Sequence, residues 1–193
     1  MCTKVSSSDL LDSWIKLAPN VSVAPSNNTP EDVKMLHKIG LSSDSILGCV
    51  CRKYGYILCG NKHIRLMGGK TNSCFSMLEV NDMDKGYSVI KNILIVADTS
   101  EGGIFAINCS EKTGADIGEI LFLPAKALTW ERLNIGYADF AKWAITSSEE
   151  SLVSGQWIER ASQSFSMQKA NILLRAKICI LKSFGKTRGE QVD

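Results

Sequence analysis

The sequence is short of the residues that carry most enzyme chemistry. It holds two histidines, His37 and His63, so a nucleophile has few candidate bases, and neither histidine comes with an obvious third group. No G-x-S-x-G is present, which removes the nucleophile elbow of serine hydrolases. The seven cysteines are odd in number and include no C-x-x-C pair. They read as thiols of a reducing compartment rather than as a disulfide framework. No apolar run approaches the ~18 residues of a membrane span. The N-terminal MCTKVSSSDLLDSW also lacks the apolar stretch of a signal peptide. Together these absences predict a cytoplasmic protein, and make the sequons at Asn20, Asn27 and Asn108 accidental. The formal net charge of +2 is too small to imply a nucleic-acid partner.

What is present suits a folded domain. Hydrophobic residues make up 45% and charged residues 22% of the chain, enough for a core and typical of a soluble globule. The charge is uneven. From Ser166 onward six basic residues face Glu190 and Asp193, giving +4, and residues 1–165 carry −2. Residues 1–165 are expected to form one α+β domain with a curved, mainly antiparallel or mixed sheet flanked by helices. Residues 166–193 form a basic amphipathic tail. It either docks its apolar side on the domain or makes weak contact with an anionic membrane surface.

The stretch Asn92–Ala144 organises this expectation. Ile93–Val96 is an unbroken apolar run that reads as a buried strand. Asp98–Gly103 is a turn, Gly103–Asn108 a second strand, Cys109–Gly118 a loop, and Ile120–Leu123 a third strand ended by Pro124. A further short strand fits Thr129–Leu133. Tyr137, Phe140, Ala141 and Ala144 then repeat at helical spacing. Upstream, Ser8–Leu17 is an amphipathic helix with Leu10, Leu11, Trp14 and Ile15 on one face. Asn20–Asn28 is a loop. A second helix has Thr29 as N-cap, Pro30 at its first position and Gly40 as its stop, with Val33, Leu36 and Ile39 inward. Ile46–Arg52 and Tyr56–Cys59 read as a hairpin around Lys53–Gly55. His63–Met67 reads as a strand with His63 and Arg65 alternating against Ile64 and Leu66. Ser73–Lys85 and Ser148–Ala161 read as weaker helices.

Three constellations suggest chemistry. Gly68-Gly69-Lys70-Thr71 ends like a phosphate-binding loop, followed by the apolar strand and acid of Ile93–Asp98. The pattern needs a glycine at position 64, which is Ile64, so a polar turn is the better reading. Cys49, Cys51, Cys59 and His63 lie close in sequence, but C-x-C in a strand does not wrap a tetrahedral ion well. Buried thiols are expected instead. No cofactor, metal or catalytic residue is therefore assigned. Asp98, Glu101, Asp116, Glu119 and Glu131 are acids on turns and strand ends. A pair of them, such as Asp98 and Glu131, at the sheet edge would suit a small hydrolase-like enzyme.

The residues Ala97, Asp98, Gly102, Gly103, Phe105, Ala106 and Asn108 form one conspicuous pattern. Gly118, Phe122 and Pro124 continue it, as do Leu128, Trp130, Glu131, Leu133, Gly136, Tyr137, Phe140 and Trp143. The whole resembles a bacterial family known only as a domain of unknown function, which is similar to the SUKH superfamily. The resemblance covers residues 8–165 and departs from the family pattern at Lys53–Tyr56 and after Phe165. It implies a SUKH-like α+β fold without cofactor, and a non-catalytic protein-binding role of the kind immunity proteins play against toxins. Asp98, Glu101, Asp116, Glu119, Trp130 and Glu131 are then the candidate partner-binding residues. An acidic rim with an aromatic anchor suits a basic protein such as a toxin.

Overall fold

A computed structural model describes residues 5–60, 63–81, 92–111, 114–126 and 129–147. The predicted helix Ser148–Ala161 and the basic tail lie outside these residues. Seven strands run in chain order across one sheet: β1 (Ser22–Pro25), β2 (Tyr54–Cys59), β3 (Ile64–Met67), β4 (Ile93–Thr99), β5 (Ile104–Asn108), β6 (Glu119–Leu123) and β7 (Glu131–Gly136). Every neighbouring pair is antiparallel, so among the described residues the sheet is not mixed. The fold is α+β with an open antiparallel sheet, and the Asn92–Leu123 meander supplies its fourth to sixth strands.

The helices are α1 (Ser7–Leu17), α2 (Pro30–Lys38), α3 (Ile46–Lys53), α4 (Met77–Val80) and α5 (Tyr137–Thr146). Four of these five helices of the described residues begin on a hydroxyl cap. Ser6 accepts from the Asp9 amide, Thr29 and Asp32 form a capping box, Ser45 accepts from the Gly48 amide, and Ser76 pairs reciprocally with Glu79. Each such cap contributes ~1 kcal/mol by satisfying an otherwise orphaned amide. Aromatic stacking fixes α5 against the sheet: the Phe105 ring lies 4.5 Å from Phe122 and 4.7 Å from Phe140.

Several expectations need correction. Ile46–Arg52 is not a strand of a hairpin but the helix α3. Its residues Ile46 to Cys51 are all buried, so no polar stripe marks the helical period and the run imitates a buried strand. Cys49 and Cys51 consequently do not share one side of a strand. The Asn20–Asn28 loop contains the edge strand β1. Within Ser73–Lys85 only Met77–Val80 is helical among the described residues. The strand expected at Thr129–Leu133 begins and ends later, as β7. Arg65, expected to alternate outward, is 8% exposed, because β3 and β4 are buried on both faces.

Two packing details set the frame for the site. β3 stops at Met67 while β4 continues, and Asn81 fills the gap. Its amide donates to the Ile95 carbonyl at 2.8 Å and its oxygen accepts from the Ile95 N–H at 2.9 Å. Beyond β3, Gly68 and Gly69 run against Tyr54 and Cys51. A Cβ on Gly69 would lie 2.3 Å from both Asn28 Oδ1 and Ser26 Oγ and 2.4 Å from the Cys51 carbonyl. These glycines permit close approach of two backbone segments, which is the role a polar turn requires.

Candidate functional site

Register decides which of the six candidate residues meet. Cross-strand partners share a face, and successive residues alternate. Arg65, Asp98, Ile104 and Leu123 therefore form a row on one face. Ala97, Phe105, Phe122 and Glu131 form the neighbouring row on the other face, the one that packs α5. Asp98 and Glu131 are on opposite faces and three strands apart, roughly 14 Å at the usual strand spacing. The carboxylate pair of a hydrolytic site is not assembled there.

The ends of the strands divide the candidates again. Asp98, Glu101, Trp130 and Glu131 lie at the end that carries the β4–β5 turn and the start of β7. Asp116 and Glu119 lie at the opposite end, where β6 begins, on the order of 15 Å away for a strand of this length. One continuous acidic rim does not form.

Two of the acids are committed to ion pairs inside the fold. Asp98 is 2% exposed and takes a bidentate contact from Arg65, with Nε at 2.9 Å from Oδ1 and Nη2 at 2.5 Å from Oδ2. Burial pushes the Asp98 carboxyl above its ordinary value, and the Arg65 guanidinium pulls against that push. Glu119, also buried, accepts from Arg132 Nε at 3.1 Å, from Arg132 Nη2 at 2.7 Å and from the Asn134 amide at 2.9 Å. It also accepts from the Asp116 amide at 3.1 Å. The Arg132 donors hold its carboxyl below the ordinary value despite burial. Asp116 itself is exposed, 3.7 Å from Arg132 Nη2. Glu101 and Trp130 are half-buried and Glu131 is exposed.

The Glu119 knot holds a bulge. Glu119 pairs with Gly136 and Leu121 with Arg132, so Leu133, Asn134 and Ile135 face a single residue of β6. Asn134 has φ 56°, a left-handed conformation that Asn tolerates better than most residues. Bulges twist a strand and re-aim its side chains. Two clefts border this one. The first, about 310 Å³, is lined by Asp116–Glu119 and Asn134–Gly136. The second, about 240 Å³, is apolar and lined by Phe105, Leu133, Ile135 and Trp143.

The family described as "Protein of unknown function DUF2625" matches residues 1–172. The chain belongs to the DUF2625 family. It is 28% identical over 148 residues to an uncharacterised protein of Haemophilus influenzae, covering 75% of this chain and 64% of that one. It is 25% identical over 162 residues to the uncharacterised protein YbfG of Escherichia coli K12, covering 81% of this chain and 74% of that one. The chain thus spans less than two thirds of the Haemophilus relative's length. No solved structure matches it.

Within this DUF2625 chain, the sequence pattern missed the cations Arg65 and Arg132, the partners of two of the candidate acids. It also missed the apolar cleft beside β7. Complementary charge on neighbouring strands was the available signal, and it required the register. No helix among the described residues is long and apolar enough to cross a membrane.

Proposed function

We propose that this protein is a non-catalytic protein-binding module, and that its partner docks at the end of the sheet where β7 begins. The observation that carries the proposal is β7 itself. It is the last strand of the sheet among the described residues, and its side chains from Arg132 onward alternate between exposed and half-buried. Glu131 is exposed on it and pairs with no cation among the described residues, beside the half-buried Trp130. An aromatic flanked by an uncompensated acid supplies contact area and steers a basic partner. Glu101 lies at the same end of the sheet. Asp98 and Glu119 support the scaffold rather than the contact, and Asp116 sits at the far end. The resemblance to SUKH proteins gives the proposal its specific form, an immunity-type inhibitor of a basic toxin, acting without a cofactor.

The test is binding of the product of an adjacent toxin-like reading frame, measured by surface plasmon resonance against folded Trp130→Ala and Glu131→Lys variants. Both should weaken binding, the charge reversal chiefly through the association rate. Unchanged binding by both variants would remove this end of the sheet as the docking surface.

A further inference from the structure

The cleft between β7 and α5 lies on the same sheet face as Glu131. Its floor is Phe105, 1% exposed, and its walls are the half-buried Leu133, Ile135 and Trp143. Leu133 follows Glu131 by two residues, so the two side chains share a face of the strand. At about 240 Å³ the cleft is smaller than the roughly 300–1,000 Å³ of small-molecule sites. It is of the size that takes one large apolar side chain, as the central pockets of protein interfaces do.

The strand's own geometry limits how a partner reads it. A bulged edge strand carrying charges resists pairing with another strand. Leu133–Ile135 bulge away from β6, and Asn134 is pinned by the Glu119 carboxylate. Recognition at this edge therefore falls to side chains rather than to a backbone ladder.

Charge then selects the partner. Glu131 borders the cleft from β7. Asp139, exposed on α5, lies one turn before Trp143 on the same helix side, since residues four apart are neighbours on a helix. Neither acid pairs with a cation among the described residues. Arg132 faces the other side of the sheet, in register with Leu121, and is occupied by Glu119. Lys142 is next to Trp143 in sequence and so about 100° round the helix from it.

We propose that this cleft is a socket for a single large apolar side chain of a partner protein, presented between basic residues that meet Glu131 and Asp139. The socket presupposes the protein-binding role proposed above and adds to it the anchor and the chemistry of the partner.

Methyl NMR of the full chain, labelled at Leu and Ile, tests this with three capped peptides: Lys-Gly-Phe-Gly-Lys, Glu-Gly-Phe-Gly-Glu and Lys-Gly-Ser-Gly-Lys. The first should shift the Leu133 and Ile135 methyls saturably, and the other two should not. The response should weaken roughly 30-fold in Ile135→Arg, the size of a hot-spot loss. Leu133→Asn, checked by its melting curve, is the second variant should Ile135→Arg not fold. The proposal is overturned by an absent or non-saturating shift, or by an equal response to the acidic peptide. It is likewise overturned by contacts in the free protein from these methyls to residues 148–193 or to a second copy. A natural partner that tolerates Ile135→Arg but not Glu131→Lys would sink the socket and leave the docking end of β7 standing.

Discussion

Replacing Asp98 with alanine leaves Arg65, 8% exposed, without the carboxylate that accepts hydrogen bonds from its Nε and Nη2. Removing one partner of a buried pair costs about 3–5 kcal/mol, mostly through the stranded charge. That is a large share of the roughly 5–15 kcal/mol that holds a domain together. At about 2–4 °C per kcal/mol for a chain of this size, the melting temperature should fall by roughly 6–20 °C. Arg65→Met alone should cost less, because a lone buried carboxyl can take up a proton, and burial already raises it. The double variant Arg65→Met/Asp98→Leu places two apolar side chains in a row that continues into Ile104 and Leu123. It should be near wild-type stability or above it, by up to about 4 kcal/mol. Urea denaturation of wild type, Arg65→Met, Asp98→Leu and the double variant closes the double-mutant cycle, with Asp98→Ala measured beside it. An Asp98→Ala cost under about 1 kcal/mol, or a double variant as unstable as the two single losses summed, would refute the burial and pairing of these residues.

Gly69→Ala should destabilise by about 1–3 kcal/mol, an overpacking cost, because the added methyl meets Asn28, Ser26 and the Cys51 carbonyl; an unchanged urea midpoint would count against that crowding. Acid should unfold the protein partly through Glu119 and Asp12. Arg132 lowers the first below 4.5 and Lys53 the second below 3.8, so their stabilisation is full above the unfolded values and is lost as pH falls through the folded ones. Asp98, raised by burial, works in the opposite sense. Arg132→Leu should therefore flatten the decline below about pH 4.5, and an identical slope in the variant would refute it. Burial pushes the Cys51 and Cys59 thiols up to about 12 and raises that of Cys109 as well, but of the three only Cys109 is exposed at the surface. A thiol reagent at pH 8 should modify Cys109 in the native protein and reach Cys51 and Cys59 only on unfolding, as peptide mapping would show.

Features that depend on neighbours along the chain were legible in the residues themselves. Thr29-Pro30 and Gly40 bracket α2, serines start α1, and Tyr137, Phe140, Ala141 and Ala144 mark the buried side of α5. Turns separate the strands of the meander near Asp98–Gly103 and Cys109–Gly118 as their composition predicts, although Asp98 and Thr99 belong to β4 rather than to the first turn. α3 was not legible, because its six consecutive buried residues from Ile46 to Cys51 read as a buried strand. β1 was missed because four residues of an edge strand ending in Pro25 carry too weak a pattern.

The site belongs to the second category. Whether Asp98 meets Arg65 or faces solvent depends on the pairing of β3 with β4, and a shift of one residue would turn every side chain to the other face. The same holds for Glu119 and Arg132, which meet because Arg132 is in register with Leu121, two residues along β6 from Glu119. Local chemistry put the six candidate residues near turns and strand ends, but Asp98 lies inside β4 and Trp130 precedes β7. Their division between two ends and two faces of the sheet followed from strand order and register, which are set by long-range packing and not by any short run of residues. The sequence alone thus determined the three strands of the meander and most of the helices, through caps, turns and apolar spacing. The tertiary structure alone decided which acids are spent on buried cations and which remain open to a partner, because that choice rests on contacts between strands.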